Sequence, residues 1–290
     1  MYVTESAVDW SPADNPYAIA VSEAQWWLKA VQLEIRRLQG PNDDHTFPFS
    51  SRQIDARLLI FVLQQLLSAE KLEQDALEAL GIDAVVRDSL KKERQQFEDS
   101  LPGITIMRNA LMHFDGWAQG KGHGPQKERI KAGASPRDAA GEFWGFAYDP
   151  SVGTISLGPY TIDLDVIEKA AARLSWAIYV AAGAVDQRNA LNLRDRVVDV
   201  LKESAIAYNS AETPLKLSMS GDRKVWFFLA PPVGADTRAH YGLAKEIIDA
   251  LGRANLRLVS MSRPDQRDVV ENLVQGESLA CEAALRKAGD

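Results

Sequence analysis

One cysteine, Cys281, is all the thiol in the 290-residue sequence. No intrachain disulfide can form, so a secreted disulfide scaffold is excluded and a reducing compartment is expected. Histidine is also scarce. The four in the chain leave little material for a transition-metal site, and neither metal nor cofactor is expected. No apolar run approaches the roughly 20 residues that a membrane span needs. The most apolar stretch, Leu174 to Val185, reads as a buried helix. Residues Met1 to Pro16 carry Glu5, Asp9 and Asp14 around no apolar centre, unlike a signal peptide. The expected location is cytoplasmic, with no membrane partner. An excess of positive charge is missing too: the net charge is −7, so any contact with a polyanion must be local.

What is present is ordinary globular material, 46% hydrophobic and 25% charged, enough for one large or two average domains. Residues 1–21, with Pro12 and Pro16, read as an extended arm. Ser22 and Gln25 fit a capping box, and Trp27, Val31, Ile35 and Leu38 follow at helical spacing up to Gly40-Pro41. Asn42 to Phe49 is a loop. Ser50 with Gln53 repeats the cap, and Ile54, Leu58, Phe61, Val62 and Leu66 make the apolar face of a second helix. A charged third helix covers Ala84 to Glu98, and a fourth Ile104 to Phe114. Gly116 to Gly141 reads as a long loop rich in glycine and basic groups. Phe143 to Leu157 reads as a short hairpin, and Asp165 with Glu168 as the cap of a long helix through Ile167, Ala171, Leu174 and Ile178.

The composition changes near Asp186. The net negative charge lies almost wholly before this point and the remainder is near neutral. That remainder reads as a helix (Leu193 to Tyr208), a strand (Val225 to Ala230), a helix (Arg238 to Ala254), a strand (Leu256 to Met261) and a helix from Asp265, with a possible parallel βαβ pair. The fold class expected is mainly α: a helical bundle at 22–187 with a short β-hairpin insertion, behind an arm at 1–21, and a small α/β unit at 188–290.

The segment that carries chemistry is Met107-Arg108-Asn109-Ala110-Leu111-Met112-His113. RNA brings its own nucleophile, the 2′-OH. Its cleavage needs a base for that proton, an acid for the leaving 5′-oxygen and a cation for the charge on the phosphorane. Histidine titrates near neutrality, and arginine is always charged and grips phosphate bidentately. On a helix Asn109 and His113 share a face, so Asn109 is expected to orient the imidazole. Arg108 and His113 stand roughly 140° apart. A groove between two copies of the helix would supply two of each. A helix in which Arg108 pairs with an acid and His113 lies at the core boundary remains the alternative.

This segment, an arginine and an asparagine followed after four intervening residues by a histidine, resembles the signature of HEPN ribonucleases, and the surrounding helical segments fit the same family. The resemblance implies a HEPN-like helical bundle and a homodimer sharing one site. It implies metal-independent RNA cleavage by Arg108, Asn109 and His113, and a role as toxin or phage-defence effector with a cognate antitoxin or regulatory partner. HEPN folds that bind without cutting are the alternative within the family, and a structural or interaction protein is the alternative outside it.

Lys121, His123, Lys127, Arg129, Lys131 and Arg137 crowd the loop after the segment and are secondary candidates for RNA phosphates; a solvated loop is the plainer expectation. Gly116 to Gly122 lacks the spacing, the Ser/Thr and the preceding strand of a phosphate loop. Arg188-Asn189-Ala190-Leu191 echoes the motif, but Leu193 replaces the histidine. Trp26, Trp27 and Trp144 are stacking platforms or, more commonly, core. Pro231 to Gly234 follows a strand as a ligand cleft would. Cys281, placed in a polar C-terminal helix, has no role.

Overall fold

In a computed structural model the described residues are 11–41, 50–220, 224–232, 234, 236–260 and 268–283. Of the expectations above, the arm up to Trp10, the loop Asn42 to Phe49, Val233, Met261 and the helix start at Asp265 lie outside them. Of the described residues 64% are helical, and two small antiparallel sheets accompany the helices. It divides into two compact units, one formed by residues 12–184 and the other by the chain from Val185 on. Among the described residues no helix is long and apolar enough to cross a membrane.

The helical unit begins with α1 (Pro16–Gln39), α2 (Ser51–Ala79) and α3 (Ala84–Ser100). Helix α1 starts six residues before the expected Ser22, because Pro16 falls at the first turn, where its fixed φ and missing N–H cost nothing. Ser50 does cap α2, its hydroxyl accepting from the Arg52 N–H. Gln53 does not close a capping box. Its amide exchanges two 2.9 Å hydrogen bonds with the backbone of Tyr148, tying α2 to a strand. The core holds Val31, Ile35 and Leu38 of α1 against Leu59, Ile60, Leu63 and Leu67 of α2.

Buried with these apolar groups are three carboxylates, Glu34, Glu70 and Glu73. Arg94 of α3 reaches the fully buried Glu70 at 2.7 Å. Burial pushes the Glu70 carboxyl above the ordinary range, and the Arg94 guanidinium pulls it back only in part.

The segment Gly116 to Gly141 is not a loop. It contains most of α5 (Phe114–Ala118), α6 (Pro125–Lys131) and α7 (Pro136–Glu142). Pro125 and Pro136 occupy first-turn positions and Ser135 caps α7. The fully buried Gln126 ties the short helices together: it accepts from the Gly122 N–H and donates to the carbonyls of Trp117 and Ala139. The expected hairpin is a three-stranded meander, β1 (Ala147–Asp149), β2 (Thr154–Leu157) and β3 (Tyr160–Asp163). Helix α8 (Leu164–Glu203) follows. Asp163, not Asp165, accepts from its first N–H groups, because Leu164 is already buried as the opening residue. Helix α8 runs on through residues 188–203 without a break, so the unit boundary falls inside it.

The second unit contains β4 (Leu215–Met219), β5 (Val225–Leu229), α9 (Thr237–Arg253), β6 (Leu256–Val259), α10 (Val269–Val274) and β7 (Leu279–Ala283), with the sheet in the order β4-β5-β7-β6. The expected parallel pair does not form. Strand β7 lies between β5 and β6 and pairs antiparallel with both. Cys281 therefore sits in a strand, not a polar helix, opposite Val225 and Leu258. Leu215, Leu217, Val225, Phe227, Leu229, Leu256, Leu258, Leu279 and Cys281 line one face of the sheet. Val197 and Leu201 of α8 and Ala244, Ile247 and Leu251 of α9 complete this core.

Candidate active site

The helix that carries the motif, α4 (Ile104–Met112), starts at Gly103, whose φ of +78° is left-handed. A Cβ there would also strike the ring of Tyr160 at 2.3 Å, so only glycine fits. Ile104, Met107 and Ala110 are buried and fix which side of α4 faces the core. Arg108 and Asn109 are then half-buried on the flank and His113 is exposed.

The helix ends at Met112, two residues earlier than the expected Phe114. His113 is its C-cap, with φ −120° and ψ 39°, and its N–H donates to the Asn109 carbonyl at 2.9 Å. The imidazole thus projects from a helix end, ahead of the new turn begun by Phe114.

The expected pairing of Asn109 with the imidazole is replaced. The Asn109 Oδ1 accepts from Arg108 Nη1 at 2.8 Å. A guanidinium nitrogen is a stronger, charged donor and lies next door in the chain, so it takes the amide oxygen. Asn109 thereby restrains Arg108 and not His113. Chemically the cluster offers a restrained guanidinium, suited to an anionic oxygen, and an exposed imidazole able to carry a proton.

Three of the six secondary basic candidates are engaged with neighbouring groups. Lys121 donates to Gln119 at 2.7 Å, Arg129 pairs with Glu142 at 2.6 Å and Lys131 with Glu128 at 2.9 Å. All six, with Lys127, His123 and Arg137 among them, are exposed. Lys121 and His123 lie in the connection between α5 and α6, whereas Lys127, Arg129 and Lys131 stand on α6 and Arg137 on α7, so the expected solvated loop holds for the first two only. Of the three candidate tryptophans, Trp26 and Trp144 are exposed and Trp27 is half-buried; among the described residues the buried tryptophan is Trp117, edge-on to Phe143.

Beside the motif lies a cleft of about 400 Å³ that sequence reading missed. It is lined by Arg57 and Phe61 of α2, Ala110 and Leu111 of α4, Phe114, Trp144 to Phe146, and Leu157. Its walls come from segments up to a hundred residues apart, which no local pattern joins. The one legible signal was Trp144-Gly145-Phe146, two aromatics around a glycine.

Comparison of the chain with protein-family models, curated proteins and solved structures finds no match.

Proposed function

We propose that this protein is a metal-independent endoribonuclease of HEPN type, acting as a homodimer in the manner of toxins and phage-defence effectors. The observation that carries the reading is the grouping at the end of α4: an exposed imidazole at the helix terminus and, on the adjoining turn, a guanidinium held by Asn109. In the proposed reaction His113 takes the 2′-OH proton and its dimer mate returns one to the 5′-oxygen. Arg108 stabilises the charge on the phosphorane. Asn109 is a positioning residue for Arg108.

A second reading, a HEPN-like module that binds without cutting, is favoured by the net charge of −7 and by the engagement of Lys121, Arg129 and Lys131 with neighbouring groups. Incubation with total RNA in EDTA separates the two. The ribonuclease reading expects fragments ending in a 2′,3′-cyclic phosphate. His113→Ala should lower the rate about 10²–10⁴-fold with no change in melting, since the side chain is exposed. Arg108→Ala should cost a comparable factor, and Arg108→Lys should not restore it, because the fork is lost. Equal cleavage by wild type and His113→Ala ends the assignment at this site. Wild type inactive on every RNA favours the binding module.

A further inference from the structure

The cleft beside α4 is an apolar hollow in which large side chains are left in water. Phe114 is 62% exposed and Trp144 53%. Trp144 also borders a smaller hollow with Ala118, Ala140 and Gly141. Gly145, between Trp144 and Phe146, has a left-handed φ of +92°, and both of these aromatics line the cleft. The Arg57 guanidinium lies 4.7 Å from the centre of the Phe146 ring, a cation–π contact. The cleft therefore combines aromatic walls with a cation.

Size and charge select the occupant. A volume of about 400 Å³ lies in the range of small-ligand sites. A flat ring fits, because an aromatic wall stacks any base whatever its sequence. Arg57, whose Nη1 donates to the Gln53 carbonyl at 3.1 Å, has further N–H groups that complement the phosphate attached to such a base. Phe114, one wall, is the residue next to His113, and adjoining Cα atoms are about 3.8 Å apart. A base in the cleft would leave its own ribose and phosphate near the motif.

We propose that the cleft holds an unpaired nucleobase of single-stranded RNA adjacent to the cleaved phosphate. The inference rests on the ribonuclease reading of the motif and adds to it a requirement: the base beside the cut must be free of its partner strand, since a paired base cannot enter.

The test uses the full chain and a short single-stranded 2′-O-methyl oligoribonucleotide, whose nucleophile is blocked, with binding read by fluorescence anisotropy. Wild type should bind it, and a duplex of the same sequence should not compete. Trp144→Ala should weaken binding about ten-fold, and Trp144→Phe, which keeps a ring, far less. Trp176→Ala, an exposed tryptophan on α8 outside the cleft, should leave binding unchanged. Phe114→Ala is the second probe should Trp144→Ala melt early. No binding by wild type, or wild-type affinity in folded Trp144→Ala and Phe114→Ala, overturns the proposal. So does a change of molar mass with unchanged binding, which would make the cleft a protein interface. Cleavage that needs His113 but ignores Trp144 removes the cleft and keeps the nuclease. Trp144-dependent binding without cleavage keeps the cleft as an RNA site and removes the nuclease.

Discussion

The two units distribute polarity in opposite ways. In the unit after residue 184 the sheet and its helices enclose an aliphatic and aromatic core, and among the described residues His240 is the one buried polar side chain. The helical unit buries Glu34, Glu70, Glu73, Gln126 and Ser175. It also carries every large apolar side chain exposed among the described residues except Leu191, Met219 and Tyr241. Burying charge costs free energy and exposing Trp, Phe or Val forgoes it. A sequence selected for stability alone would do neither. The contrast teaches where constraints other than stability act, and it coincides with the unit that holds the motif and the cleft.

Three measurements would break or sharpen this contrast. The largest effect is expected in the apolar core. Phe227 is fully buried and directly opposite Leu217 and Leu279. Phe227→Ala should cost about 3–5 kcal/mol in chemical denaturation, with little dependence on pH between 5 and 7. A loss under about 1 kcal/mol would mean that this core is looser than its burial implies.

A somewhat smaller loss should follow Arg94→Ala, which strands the buried Glu70. About 3 kcal/mol is expected at neutral pH, the low end for a broken buried pair because Arg94 keeps partial contact with solvent. Here pH matters. The Glu70 carboxyl is raised in the folded state, so its contribution is complete below the ordinary value of 4.5 and is lost as pH rises through the folded value. Without Arg94 that folded value rises further. The deficit of the variant should therefore shrink as pH is lowered from 7. A deficit that stays constant or grows on acidification would contradict the buried-charge account.

The smallest effect concerns a reaction rate and not stability. Burial in β7 pushes the Cys281 thiol up to about 12. At pH 8 the native protein should resist thiol reagents and label only on unfolding, since the thiolate is the nucleophile. Rapid labelling of folded protein would place Cys281 outside the sheet core.

How much of this was legible in the sequence differs by element. Helices α2 and α3 were readable as helices because caps and apolar spacing recur within a few residues, as at Ser50, but the buried face of α2 was not. Of the expected Ile54, Leu58, Phe61, Val62 and Leu66, Leu66 is buried while Ile54 and Leu58 are exposed, and the core side carries Leu59, Ile60, Leu63 and Leu67. Strand β4 was missed although Leu215-Lys216-Leu217-Ser218-Met219 alternates as a strand should. Strand β7 offered less: three buried residues, Leu279 to Cys281, cannot be told from a helical turn by period. The short helices within 114–142 were hidden by glycines that read as loop, while Gln126, which holds them together, looks in the sequence like any surface glutamine.

The sequence by itself determined the absence of disulfides, the helical majority, and the set of chemical groups in Arg108, Asn109 and His113, because composition and short-range period depend on neighbours alone. The tertiary structure decided the rest. It halted α4 at His113, gave the Asn109 oxygen to Arg108, inserted β7 between β5 and β6, and walled a cleft with Arg57, Phe114 and Trp144. Each of these is a choice among competing partners, most of them far apart in the chain. Which partner wins depends on burial, on geometry and on which donor carries the charge, and these exist only once the chain has packed.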